Sequence, residues 1–239
     1  MFVIVLAGIG VEIDNRYGYV EEQCREYRTD SGLVDFRVRV TSDELNTYLL
    51  TAGRPMMPGE AESVLLYRKI CQQLPAYDAF VFHAAVVRHD GRADAFSARR
   101  GTGKTTHAEL WRRVFPLQAE ILNGDKPILR IQGGRFWAFG TPWCGKEGRQ
   151  MNVGCPLQAV CFLEQGRENR IETSPVADTV ARMLDATVYA EEAALRDRLA
   201  TLIGRAVRVT PAYRLYCRPD EEAVRVAFHA LSQAQNGLI

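Results

Sequence analysis

Apolar and polar positions alternate most regularly at Val34, Phe36, Val38 and Val40, with Asp35, Arg37 and Arg39 between them. A two-residue period puts each set on its own face, so this stretch predicts a half-buried strand. Before it, Phe2 to Ile13 is apolar and broken by Gly8 and Gly10, a strand or hairpin arm that ends in the turn Asn15-Arg16-Tyr17-Gly18. Val20 to Tyr27 has helical character, and Tyr17, Tyr19 and Tyr27 read as packing aromatics. Thr41-Ser42-Asp43-Glu44 offers N-cap chemistry for a helix to about Thr51. After the break at Arg54 to Gly59, Glu60 to Gln73 resumes as a helix carrying Val64, Leu65, Ile70 and Cys71. Residues 1–75 therefore read as a small α+β lobe packed on a core of residues 76–239, the two forming one structural domain.

The core opens with Val81, Phe82, Ala84, Val86 and Val87, a β-type run closed by the hairpin signal Asp90-Gly91. A second strand, Arg92 to Ser97, enters Ala98-Arg99-Arg100-Gly101-Thr102-Gly103-Lys104-Thr105-Thr106. An amphipathic helix follows, with Leu110, Trp111, Val114 and Phe115 on its apolar side. Strand, glycine loop and helix start form the context of a phosphate-binding loop. Glycines let successive backbone N–H groups turn around a phosphate chain, and the helix N-terminus adds partial positive charge. Arg100 to Thr106 are thus candidate nucleotide contacts, with Lys104 on the outer phosphates and the Thr105 hydroxyl on Mg²⁺. The full loop pattern has glycine where this chain has Ala98, which a backbone at negative φ would accommodate.

Further on, Ala119 to Leu122 predicts a short strand with Asp125 at its carboxyl end, where ligands sit in α/β sheets and a carboxylate suits Mg²⁺. Ile128 to Ile131 and Arg135 to Phe139, joined by Gly133-Gly134, predict a hairpin leading to the glycine-studded loop Gly140 to Gly148. In that loop Lys146 or Arg149 is placed to meet phosphate, and Glu147 to support metal or acceptor. Leu157 to Leu163 predicts a buried strand. Ser174-Pro175 opens a helix to about Asp185, Glu191 to Ile203 is a second helix, Val207 to Tyr216 a strand, and Pro219-Asp220-Glu221-Glu222 starts a last helix.

Composition narrows the classes. Thirty basic against 29 acidic residues leave no electrostatic footprint for nucleic acid or an anionic membrane. The apolar opening Met1 to Val11 lacks a basic leader and is too short to span a bilayer. Six cysteines without a Cys-x-x-Cys pair disfavour a structural zinc site and fit a reducing cytoplasm. Cys71 and Cys161 read as core thiols, and no histidine near Cys144 in sequence would activate it as a nucleophile.

Three marks resemble the HPr kinase and ATP-dependent phosphoenolpyruvate carboxykinase superfamily, in particular its short HPr-kinase-related proteins. They are the loop Gly101-Thr102-Gly103-Lys104-Thr105-Thr106, the histidine of Phe82-His83-Ala84 twenty-one residues before Lys104, and Asn123-Gly124-Asp125 with its aspartate twenty-one residues after it. The segment Gly140-Thr141-Pro142-Trp143 is also similar to one in those proteins. The resemblance implies an α/β fold of that type, a nucleotide-binding core with a mixed sheet. It also implies an ATP- and Mg²⁺-dependent phosphotransferase acting on Ser or Thr of a protein or peptide, with Lys104 and Asp125 in catalysis and Thr105 and Asp125 on the metal. Members of the superfamily usually carry two adjacent aspartates where this chain has Gly124-Asp125. That departure leaves His83 to polarise the acceptor, or leaves a catalytically impaired nucleotide-binding module. Oligomeric state stays open between a monomer and a homo-oligomer.

Overall fold

The computed structural model describes residues 1–99 and 101–233. A first sheet of three strands holds β1 (Phe2–Leu6), β2 (Ile9–Asp14) and β3 (Phe36–Arg39) in that order. β1 and β2 form an antiparallel hairpin through Ala7 and Gly8, both at positive φ, and β3 joins β2 in parallel. The strand expected over residues 34–40 is shorter, and Val34 is exposed. Asp35 sets its start: the Asp35 carboxylate accepts from Gly10 N at 2.7 Å while Asp35 N donates to Gly10 O at 2.8 Å. The helical stretch from Val20 divides into α1 (Gly18–Gln23) and a 3-10 turn at Arg25–Tyr27. α2 (Ser42–Thr51) begins with the anticipated capping box between Thr41 and Glu44, and α3 (Pro58–Gln73) starts on a proline whose missing N–H costs a first turn nothing.

Nine strands make the second sheet: β4 (Ala79–Val81), β5 (Ala84–His89), β6 (Arg92–Ser97), β7 (Ala119–Asn123), β8 (Ile128–Gln132), β9 (Arg135–Phe139), β10 (Gly154–Gln165), β11 (Arg170–Thr173) and β12 (Ala212–Cys217). The main path runs β4-β8-β9-β10-β6-β5-β7, with β12 on β10 and β11 on β12. β10 is the spine. Its first residues pair antiparallel with β9, and its remainder lies parallel to both β6 and β12. The sheet is therefore mixed and curls about this strand.

Helices cover both faces. α4 (Lys104–Val114) and α7 (Glu221–Gln233) pack one side, where Trp111, Phe96, Leu215 and Leu231 are buried. α5 (Val176–Asp185) and α6 (Ala193–Val209) cover the other, with Met183, Leu199, Leu202 and Ile203 beneath them. The core of the first lobe also takes in Ala79, Val81, Ile128 and Trp143, so it continues into the second sheet.

Two further expectations change, and one strand was not anticipated. The run from Phe80 to Val87 is two strands, because the chain leaves β8 and joins β6 and β7 at Phe82-His83. The strand expected from Val207 begins at Ala212, since the stripe Leu199, Leu202, Ile203, Ala206 keeps α6 helical past the β-branched residues, and Val209 is left exposed. β11, an edge strand of exposed and half-buried residues, carried no apolar period by which to read it. Both hairpin turns form as read, Asp90-Gly91 and Gly133-Gly134 lying at positive φ throughout.

Candidate functional site

Two crossings of the chain lie side by side and set up the site. One carries β4 into β5 through Phe82-His83, and the other carries β7 into β8 through residues 124–127. Phe82 N donates to Pro127 O at 3.0 Å and Ala84 N to Asp125 O at 3.1 Å, which clamps the two together. Antiparallel pairing of Ala84 with Ser97 puts the end of β6, and so the glycine loop, at the same place. Ser97 Oγ closes the joint by donating to His83 O at 2.9 Å. β10 and β12 run parallel to β6 or to each other, so their carboxyl ends open on this side too.

The loop itself turns at Arg99, whose carbonyl accepts from Thr102 N at 3.1 Å, and passes through Gly101 at φ +82° and Gly103 at φ +111°. Added side chains at those two glycines would meet open space, so backbone conformation rather than crowding requires them. Ala98 is absent from the residues at positive φ, so its methyl group is tolerated without strain. Gly103 caps α4 and brings no side chain to its first turn, whose leading N–H groups have no intrahelical acceptor. Lys104, Thr105 and Thr106 form that turn. They line a cavity of about 380 Å³ with Gly101, Gly103, His83 and Asp125. Thr102 faces two neighbouring cavities instead, and the expected contact at Arg100 lies outside the described residues.

Asp125 is the electrostatic centre. Its Oδ1 lies 2.9 Å from His83 Nε2 and 3.2 Å from Lys104 Nζ, and its Oδ2 accepts from Lys126 Nζ at 2.5 Å. Burial pushes the carboxyl up, but the hydrogen bonds from His83 and Lys126 and the charges of Lys126 and Lys104 outweigh it and hold it well below the usual range. Lys104 moves the other way from an ordinary lysine: burial lowers it against the raising effect of Asp125. An ionised carboxylate only accepts, so His83 Nε2 carries the hydrogen of that contact. His83 is half exposed, not a buried core histidine.

Lys126 was not singled out by the sequence, and Asn123 entered only as the first residue of the Asn123-Gly124-Asp125 mark. Asn123 is fully buried; its Oδ1 accepts from Asp125 N at 2.9 Å and Lys126 N at 2.7 Å, while its Nδ2 donates to Thr141 O. It fixes the turn that presents Asp125. Thr141 finishes the brace by donating to Lys126 O at 2.8 Å. An asparagine two residues before a carboxylate at a strand end is the signal that could have marked the turn.

The loop from Gly140 lies against this turn, and its charged residues are outside the lining of the glycine-loop cavity. Lys146, Glu147 and Arg149 are all exposed, and Arg149 Nε is committed to Glu109 on α4 at 3.1 Å. Asp125 Cβ and Glu147 Oε2 both lie within 4 Å of the point where a Cβ on Gly145 would stand, so Glu147 approaches the site while Lys146 does not line the cavity. Gly124 N donates to Arg149 O at 2.9 Å, and a Cβ at Gly124 would fall 2.8 Å from Cys144 O. Cys144 is buried with its thiol pushed up by that burial, unlike an activated nucleophile.

Mg²⁺ usually takes one or two carboxylates, keeps waters and shares substrate phosphates. Thr105 and Asp125 line one cavity and offer that donor chemistry, with a lone pair still open on Asp125 Oδ2. Among the described residues no group of three or more His, Cys, Asp or Glu could hold a metal by itself, and no helix is long and apolar enough to cross a membrane.

Among solved structures, the HPr(Ser) kinase/phosphatase from Coxiella burnetii is similar, at 10% identity over 64% of this chain and 97% of that one, with a TM-score of 0.37. A likeness that remote carries no argument about chemistry, so the site is read from its own geometry. No family model and no curated protein matches the chain.

Proposed function

We propose that this chain is an ATP- and Mg²⁺-dependent phosphotransferase that delivers the γ-phosphoryl group to a hydroxyl, that of Ser or Thr on a protein or peptide. The observation that carries the reading is the meeting of Lys104 and His83 on one oxygen of Asp125, in a cavity at the mouth of the glycine loop. The loop amides and Lys104 would grip the phosphates, Lys104 exchanging its contact with Asp125 for a phosphate oxygen. Thr105 and Asp125 would hold Mg²⁺, which when bound neutralises charge on the phosphates. His83 Nδ1 would take the proton of the attacking hydroxyl, and Asp125 would stabilise the imidazolium through Nε2. Such transfer depends mainly on positioning and charge neutralisation, and these are the roles the cluster offers.

Lys104→Ala should abolish ATP turnover, measured as ADP release; full turnover in that variant would remove the loop from the mechanism. A second reading, a nucleotide-binding module without transfer, is favoured by Gly124, where backbone packing leaves no room for the carboxylate found in related kinases. Calorimetric binding of ATP with no phosphate appearing on serine-containing peptides would select it.

A further inference from the structure

The first lobe carries an open groove whose lining also takes in Glu191 of the core. β3 pairs with β2 along one edge, and among the described residues no strand pairs with the other. Beside that free edge runs α3, presenting Leu65, Arg68, Lys69 and Gln72 at helical spacings of three, four and seven residues. Between strand and helix lies a cavity of about 590 Å³ whose lining includes Phe36 and Val38 as well as this stripe.

A strand edge offers a row of backbone donors and acceptors, and a groove beside it gives room for the side chains of an added strand. The charge around the groove decides what kind of segment fits. Four cationic side chains, Arg37, Arg39, Arg68 and Lys69, line it against two carboxylates. Arg37 is paired with Glu12 and Lys69 with Glu44, whereas Arg39 and Arg68 have no carboxylate partner among the described residues. Arg68 instead lies over the Tyr48 ring, 5.1 Å from its centroid, which holds its guanidinium in place at the groove.

We infer that the β3 edge is a docking site for an acidic peptide segment, bound in extended form as an added strand between β3 and α3. Backbone pairing with β3 supplies affinity. Acidic side chains at alternate positions meet Arg39 and Arg68, and apolar ones between them face Phe36, Val38 and Leu65. The inference is independent of the phosphotransfer reading, since no residue of the groove lines the glycine-loop cavity.

The test uses the full chain and a fluorescein-labelled peptide that alternates valine with glutamate, followed by fluorescence anisotropy. The expected result is saturable binding, weakened at least ~10-fold, or about 1.4 kcal/mol, in the double variant Arg39→Glu/Arg68→Glu. Both arginines are exposed, so the variant should keep its fold, checked by circular dichroism. A peptide of the same sequence with every backbone amide N-methylated cannot donate along the edge and should not bind, nor should one that alternates valine with lysine. Equal binding by the N-methylated peptide, or undiminished binding to the double variant, overturns the inference. So does no binding at all, which would leave the edge arginines as guards against self-pairing, or a concentration-dependent dimer through β3 in sedimentation.

Discussion

At the scale of single residues, Gly124 explains more than its size suggests. At this position the Cys144 carbonyl lies within 2.8 Å of where any Cβ would stand. Gly124→Ala should therefore displace the loop from Gly140 and lower stability by about 1–3 kcal/mol, read from urea unfolding. Gly124→Asp should do so without gaining activity. His83 invites the complementary experiment. His83→Gln should leave ATP affinity unchanged, because the loop is untouched, and slow transfer by about 10²–10⁴-fold, the usual share of a general base. Equal rates in single-turnover assays would move the proton to another group. His83 could be matched to Asp125 in sequence only through spacing relative to Lys104. The two residues meet because of a strand break, and nothing in the alternation around Phe82 marks one. Lys126, next to Asp125, reads in sequence as an ordinary polar turn residue.

At the scale of elements, α4 both starts the site and anchors it in the interior. Its Lys104 to Thr106 turn faces the cavity. One turn further on, His107 Nε2 accepts from Trp111 Nε1 at 3.0 Å, and the two rings pack with Phe96. Burial lowers His107 from 6.5 to about 4. The folded chain thus binds this proton less readily than the unfolded chain. The contribution of this histidine should therefore be full above pH 6.5, fall as pH drops through that value and level off below about 4, a loss of about 3 kcal/mol. His107→Gln should flatten this part of the profile, with unfolding free energies measured at several pH values; an unchanged slope would assign the loss elsewhere. The start of α4 was legible because glycines and a following amphipathic period are local signals. The end of α6 was not, because Val207 and Val209 have strand propensity while burial of Ala206 keeps them helical. The start of α2 was legible for the opposite reason, since the Thr41 and Glu44 capping box needs no distant partner.

At the scale of the molecule, the first lobe and the site loop are joined by polar contacts as well as by a shared apolar core. Trp143 Nε1 donates to Ser63 Oγ at 3.0 Å, Ser63 Oγ to Gln23 Oε1 at 2.5 Å, and Gln23 Nε2 to Pro142 O at 3.2 Å. Ser63→Ala strands a buried indole N–H. It should cost about 1–3 kcal/mol and lower the melting temperature by a few degrees. The same substitution should also slow transfer, since the loop it steadies braces Asp125 through Thr141; a stability loss with full activity would show that the brace holds without the lobe. None of these contacts was visible beforehand, because each joins residues at least 40 positions apart.

The change of partners at Phe82-His83 also limits how this chain can vary. Inserting or deleting one residue there would turn every later side chain of β5 to the opposite face and carry the imidazole away from its carboxylate. Length at that joint is consequently fixed by the strand pairs on both sides of it, β4 with β8 before and β5 with β6 and β7 after.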